Sequence, residues 1–137
     1  MLTISKKSDY ALIIVSQLSR KKDYTPLSEL IENTDLPRRF LARIAATLVS
    51  NKLLISREGR VGGYILSPTI QSVSLYDFFH IFETNMDFLK CLKKSHPRCK
   101  YEKVCQHQHG IRTKLNDIVL KQLKSTKLAD LLKPCLI

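Results

Sequence analysis

Acidic residues are scarce in this 137-residue chain: 12 Asp and Glu stand against 23 Lys and Arg, a formal net charge of +11. Long apolar runs are missing as well. Ala11-Leu-Ile-Ile-Val15 is five residues long, too short for the core of a signal peptide and far short of a bilayer span. Glycine is rare, with four in the chain; no glycine-rich phosphate loop appears, nor does any paired-carboxylate or nucleophile–base–orienter pattern. Enzymatic chemistry is therefore not expected. No two cysteines lie within the two-to-four-residue spacing of ordinary zinc sites, and there is no internal repeat or low-complexity stretch. The default location is cytoplasmic, where thiols stay reduced, so four cysteines point to metal or redox chemistry rather than to disulfides.

The basic excess suits a polyanionic partner such as nucleic acid. It is unevenly spread. Residues 1–86 hold 11 Lys and Arg against 8 acids, and residues 87–137 hold 12 against 4. The second half thus carries most of the surplus, part of which a solvated lysine-rich face would explain.

Apolar spacing predicts the elements. Tyr10, Ala11, Ile14, Val15 and Leu18 recur at helical steps over 8–19. A short second helix starts within Thr25-Pro26-Leu-Ser28, with Ser28 as candidate N-cap or Leu27 already in the first turn, and with Leu30 and Ile31 facing inward. Asn33-Thr-Asp35 reads as a break. Pro37, suited to a first helical position, opens a third helix to about Val49. Its stripe is Phe40, Leu41, Ile44, Ala45 and Leu48, and Arg38, Arg39 and Arg43 fall outside it. Two short helices around a tight break, the second with an arginine-rich outer face, describe a helix-turn-helix.

Strand character follows over 53–56 and 64–67, around Arg57-Glu-Gly-Arg-Val-Gly-Gly63. The glycines supply turn conformations, and Arg57 and Arg60 stand on the tip. A hairpin directly after a helix-turn-helix makes a winged helix. A helix over 74–83, N-capped by Ser74, carries Tyr76, Phe79, Ile81 and Phe82. Residues 87–107 read as a loop, 109–124 as a long helix with Ile111, Leu115, Ile118, Val119 and Leu123 on one side, and 128–132 as a short closing helix. The fold class is mainly α with a small β-hairpin: a winged helix-turn-helix with a long C-terminal dimerisation helix, one compact domain overall. Its regions are a DNA-binding part at 1–84, a cysteine-rich loop at 85–108, and a dimerisation part at 109–137. The long amphipathic helix needs a partner for its stripe, and a homodimer on paired half-sites of double-stranded DNA is the expected arrangement. No membrane or small-molecule partner is indicated.

Ser56-Arg-Glu-Gly-Arg-Val-Gly-Gly-Tyr-Ile-Leu66 resembles the wing signature of the Rrf2 family of bacterial regulators, the IscR- and NsrR-like repressors. Ser8-Asp-Tyr-Ala-Leu12 is similar to the family's first helix, and Ser74 to Glu83 to its post-wing helix. The three following cysteines and Leu128-Ala-Asp-Leu131 come in the family's order, so the resemblance runs along essentially the whole chain. It implies a DNA-binding repressor that senses iron–sulfur status, redox state or nitric oxide through a 2Fe-2S or 4Fe-4S cluster on Cys91, Cys99 and Cys105. It also implies a fourth ligand from His107, His109 or Asp9 of the partner subunit, with His96 a further candidate and Cys135 outside the pattern. Lys90, Lys93, Lys94, Arg98, Lys100 and Lys103 surround the thiols and would favour thiolates. One departure stands in the wing. The family places an arginine before the first glycine, where it enters the minor groove, and this chain has Glu58, which leaves Arg57 or Arg60 to supply that cation. The alternative function is a cluster-free thiol redox regulator. A DNA-independent adaptor is disfavoured by the third helix's arginines.

Overall fold

The computed structural model describes residues 4–87, 102–105 and 110–132. It contains α1 (Lys6–Leu18), α2 (Leu27–Leu30), α3 (Arg38–Ser50), the hairpin β1 (Leu54–Arg57) and β2 (Gly63–Leu66), a 3-10 turn (Pro68–Gln71), α4 (Leu75–His80), α5 (Glu102–Cys105), α6 (Ile111–Ser125) and α7 (Leu128–Leu132). The strands pair antiparallel with Leu54 opposite Leu66 and Arg57 opposite Gly63. The winged helix and the long C-terminal helix expected from the sequence are both present. Among the described residues, no helix is long and apolar enough to cross a membrane.

The stripes of α1 and α3 make the centre of the core. Ala11, Ile14, Val15 and Leu18 meet Leu41, Ile44, Ala45 and Leu48, and all eight are buried. Tyr10 meets Phe40 edge-on at 5.5 Å between ring centroids. This edge-to-face geometry sets the positive rim of one ring against the negative face of the other. Phe78 of α4 is fully buried, although the stripe read from the sequence passed over it. In a helix of six residues the 3.6-residue pattern is too short to select among Leu75, Tyr76, Phe78 and Phe79.

Several boundaries differ from the sequence expectation, each for a local reason. α1 starts at Lys6 rather than Ser8, because the Ser5 hydroxyl accepts from the Ser8 backbone N–H at 3.3 Å and caps the helix earlier. Ser28 is not an N-cap. Thr25 exchanges two 2.9 Å backbone hydrogen bonds with Tyr64, which fixes Pro26 in extended geometry and starts α2 at Leu27, with Ser28 inside it. Pro37 takes the cap position before α3 rather than its first turn. Asn33 makes the predicted break with a left-handed φ of 61°, a conformation asparagine tolerates better than most residues. The α4 helix ends at His80 instead of reaching Glu83, and its predicted cap holds: Ser74 Oγ accepts from Asp77 N–H at 3.1 Å. The segment read as loop contains the one-turn helix α5. Both strands lie one residue off the predicted spans.

Past the end of α4, the Glu83 carboxylate reaches back to α1. Its Oε1 accepts from Ser5 N–H at 2.9 Å and from Ser8 Oγ at 2.5 Å, and Ser8 is fully buried. Burial pushes the Glu83 carboxyl up. The hydrogen bonds from the Ser8 hydroxyl and from the Ser5 backbone and side chain together outweigh that, and hold it below the usual glutamate value.

The far side of the core is tied down by α6 and α7. Leu75 N–H donates to Thr126 O, and Leu128 N–H to Val73 O, both at 2.9 Å. Lys127 Nζ donates to Ser72 O at 3.0 Å, and Lys124 Nζ sits 4.7 Å from the centre of the Tyr76 ring. The apolar stripe of α6 divides in two. Val119 and Leu123 are half-buried against the body, whereas Ile111, Leu115 and Ile118 are 83%, 44% and 65% exposed.

Because the Glu83 pKa is lowered by folding, its contribution is complete above the ordinary glutamate pKa and is lost as pH falls through the folded value. Glu83→Gln is expected to cost about 1–2 kcal/mol at neutral pH through loss of the charged acceptor. Thermal unfolding followed from about pH 6 to about pH 3 checks this: the gap between wild type and variant should close as the pH drops.

Candidate nucleic-acid interface

The surface of α3 opposite its core stripe carries Arg38, Arg39 and Arg43, all exposed. Among the described residues, none of the three side chains makes a hydrogen bond or an ion pair. The helix runs for 13 residues, and its first turn contains no acid. Arg38 and Arg39 therefore add to the positive end of the helix dipole instead of being neutralised there, a combination that favours phosphate. Burial of Leu41, Ile44, Ala45 and Leu48 fixes the rotation of the helix, so the arginines must face outward.

The wing stands beside this helix because β2 is stitched to the segment before α2. Thr25 and Tyr64 form an isolated antiparallel bridge. Gly63, with φ of 138°, lies directly against Thr25; a Cβ there would collide with the Thr25 carbonyl and the Pro26 nitrogen. Only glycine fits both the conformation and the space. Gly59 (φ 104°) begins the turn at the tip, and Gly62 N–H closes it onto Gly59 O at 3.0 Å.

The two wing arginines are placed differently. Arg57 closes β1 and lies over the Tyr24 ring, 4.1 Å from its centroid, with Nη2 donating to Val61 O at 2.7 Å. Arg60 is in the turn itself, exposed like Glu58. The sequence put both arginines at the tip; Arg60 lies in the turn, and Arg57 stands at the end of β1 with its guanidinium reaching Val61 in that turn. Tyr24 and Thr25, which hold the wing, were not singled out from the sequence. Their contacts join Tyr24 to Arg57 and Thr25 to Tyr64, 33 and 39 positions apart, and no local pattern announces them.

Near the N-terminus of α1, Asp9 is exposed, and its carboxylate makes no hydrogen bond among the described residues. Cys105 closes α5. Cys91, Cys99, His96, His107, His109 and Cys135 lie outside the described residues, and among those described no three His, Cys, Asp or Glu converge on one point. Between α1, α3 and the end of α4 is a cleft of about 370 Å³, lined by Lys7, Phe40, Arg43, Ile44, Thr47, Ile81 and Phe82. It sets the residues that lead into the cysteine segment against the inner wall of the arginine-bearing helix.

Comparison with known proteins agrees with this geometry. Residues 4–134 match the family model Rrf2, described as an iron-dependent transcriptional regulator. The HTH-type transcriptional regulator NsrR of Oceanobacillus iheyensis is 24% identical over 134 residues, covering 96% of this chain and 90% of that one. The solved structure of CymR (YrzC), the global cysteine regulator of B. subtilis, is similar with a TM-score of 0.72 and 25% identity, over 96% of this chain and 97% of that one. IscR of T. potens shares the fold with a TM-score of 0.62 and 24% identity, over 96% and 87%. The protein is thus a DNA-binding transcriptional regulator and not an enzyme, and its chain belongs to the Rrf2 family.

Proposed function

We propose that the chain acts in the cytoplasm as a homodimeric repressor, with α3 in the major groove and the wing beside it, and that a cysteine-bound iron–sulfur cluster tunes its hold on DNA. The observation that carries the DNA reading is the arginine face of α3, exposed and without a hydrogen bond or ion pair among the described residues. Arg38 and Arg39 in the first helical turn suit phosphate contact, and Arg43, one turn further along, suits a base edge. Phosphate contacts fix register, and base contacts discriminate.

The donor chemistry of residues 91–109 fits a cluster. Three thiols at 91, 99 and 105 stand among six cations between 90 and 103, and these cations favour thiolate and offset the negative charge of an anionic centre. Cys91, Cys99 and Cys105 would hold the group, with His107, His109 or Asp9 of the partner subunit as the fourth ligand. The Asp9 carboxylate, exposed and without a hydrogen bond among the described residues, supports the last. When bound, the cluster supplies a redox- and nitric-oxide-sensitive centre. The chain's own residues would relay its state: Ile81 and Phe82 line the cleft against Phe40, Arg43 and Ile44, so a shift at the end of α4 bears on the α3 side chains that meet DNA. Differential stability of the two loop arrangements then sets the fraction of DNA-competent protein.

A second reading has its own support. The similarity to CymR, whose structure is described as that of a global cysteine regulator, favours a cluster-free thiol switch on the same cysteines. The homodimer rests on Ile111, Leu115 and Ile118, which share one face of α6 at helical spacing and are exposed. A second copy of that face would cover them, around a two-fold axis.

Three measurements test these proposals. An Arg39→Ala, Arg43→Ala double variant should bind duplex DNA at least about ten-fold more weakly, and its log–log salt slope should fall by roughly one for each phosphate that the variant no longer neutralises; unchanged binding in a mobility-shift titration overturns the interface. Anaerobically purified protein should contain iron and acid-labile sulfide, and Cys99→Ser should lose both while its thermal unfolding persists. Absence of iron after anaerobic reconstitution removes the cluster, and peroxide-sensitive DNA binding in that iron-free protein selects the thiol switch. Finally, Ile118→Glu should shift sedimentation toward the monomer, since it places a charge within an apolar contact.

A further inference from the structure

The cleft of about 370 Å³ between α1, α3 and the end of α4 has the make-up of a small-molecule site. Sites of that kind run from about 300 to 1,000 Å³, with apolar walls and a few placed polar groups. Four of the lining side chains are apolar: Phe40, Ile44, Ile81 and Phe82. Two of these are held from behind. Phe40 meets Tyr10 edge-on at 5.5 Å between ring centroids, and Phe82 meets the fully buried Phe78 edge-on at 6.4 Å. The walls are therefore in place before anything enters, which leaves little ordering cost to a ligand.

The charged groups of the cleft carry one sign. Lys7 of α1 and Arg43 of α3 both line it and are both exposed, and neither side chain makes a hydrogen bond or an ion pair among the described residues. No acid is among the described lining residues. Glu83, the residue after Phe82, commits its Oε1 to Ser5 N–H and Ser8 Oγ. Thr47 donates its hydroxyl hydrogen to Arg43 O at 3.0 Å, which leaves it only an acceptor toward the cleft. Two cations facing one cleft repel each other, and an anion between them removes that repulsion. The match is a single carboxylate on an apolar body: the guanidinium fork takes its two oxygens, and the lysine adds a point charge.

We propose that this cleft is an effector site for a small aromatic monocarboxylate of one or two rings, and that its occupation loosens the hold on DNA. The effector role rests on the DNA-binding reading above; the site itself does not. The ring system lies against Phe40 and Phe82, whose faces and edges favour an aromatic body over an alkyl chain. Phe40, Arg43, Ile44 and Thr47 stand at helical spacing on one side of α3. Arg43 is at the border between that side and the arginine face, with Arg39 one turn before it. Its fork can hold the carboxylate of a ligand or the edge of a base, but not both. Binding of the acid thus withdraws one DNA contact, and by linkage bound DNA weakens the acid to the same degree.

Calorimetry on the full chain tests the site, with benzoate, phenylacetate and 1-naphthoate as probes and decanoate as the alkyl control. At least one aryl acid should bind saturably, one per chain. The uncharged amide of the tightest acid should bind at least about ten-fold more weakly, and Lys7→Gln should weaken the acid itself by a similar factor, as expected for loss of a charge-assisted contact. Ile81→Trp, which fills the cleft, should remove binding. Thermal unfolding of both variants should match wild type, and Lys7→Gln decides alone where Ile81→Trp does not fold. On a duplex enriched from a random library, the saturating acid should lower wild-type affinity about ten-fold, within the range of coupled sites. Lys7→Gln at the same acid concentration should keep its own ligand-free affinity. No saturable binding of any aryl acid, equal binding of acid and amide, or binding that survives Lys7→Gln or a folded Ile81→Trp overturns the site. Tighter binding of decanoate overturns the aromatic class, and ligand binding without a change in DNA affinity overturns the effector role. Failure of the ligand-free protein to enrich any duplex overturns the DNA-binding reading, and the calorimetry still decides the site.

Discussion

Two backbone hydrogen bonds, exchanged between Thr25 and Tyr64 at 2.9 Å each, decide where the wing stands relative to the recognition helix. A two-stranded hairpin has little stability alone. Here it gains a third, one-residue partner, and Gly63 lets the two backbones touch where any side chain would force them apart. The Arg57–Tyr24 stack adds a second fastening from the same segment. Tyr24 and Thr25 lie between α1 and α2, so the hairpin is fixed to the helices that also orient α3. The α3 helix and the wing are thereby held in one frame, and the short connection from α3 to β1 is itself tied down, with Leu53 buried and its N–H on Leu48 O at 3.0 Å.

The opposite end of the head has a comparable fastening of different chemistry. Glu83 draws the chain leaving α4 onto the cap of α1 through Ser5 and Ser8. A buried serine hydroxyl requires a partner, and a carboxylate is the strongest acceptor available to it. This joint lies between the arginine-bearing head and the segment that carries the cysteines. The α6 stripe divides along its length: Val119 and Leu123 are half-buried, and Ile111, Leu115 and Ile118 are exposed.

The helix-turn-helix, the hairpin and the closing helix could be read from the sequence because each announces itself locally. The stripes of α1 and α3 run for three turns or more, and three of the chain's four glycines fall within five positions. What escaped was set by distant contacts. Ser28 looked like a cap by its type, but Pro26, next to the bridge from Thr25 to Tyr64, takes the cap position, and α2 starts at Leu27. Ser8 looked like a start, but Ser5 caps α1 and leaves Ser8 buried for Glu83. Phe78 was hidden among neighbouring aromatics, since periodicity means little in six residues. The arginines of α3 were legible as a group because they interrupt a strong stripe. The division between Arg57 and Arg60 was not, since it turns on a ring contributed by Tyr24 from 33 positions earlier.

The split of charge along the chain bears on how such a protein would find its site. Residues 87–137 carry the larger basic surplus, and the winged head is closer to neutral. At physiological salt, exposed charges act over about 8 Å, so cations that do not touch the duplex raise the encounter rate and the sequence-independent term more than they stabilise the final complex. Discrimination is then left to a small number of side chains on α3 and the wing. Glu58, exposed in the hairpin next to Arg57, lowers that sequence-independent attraction locally.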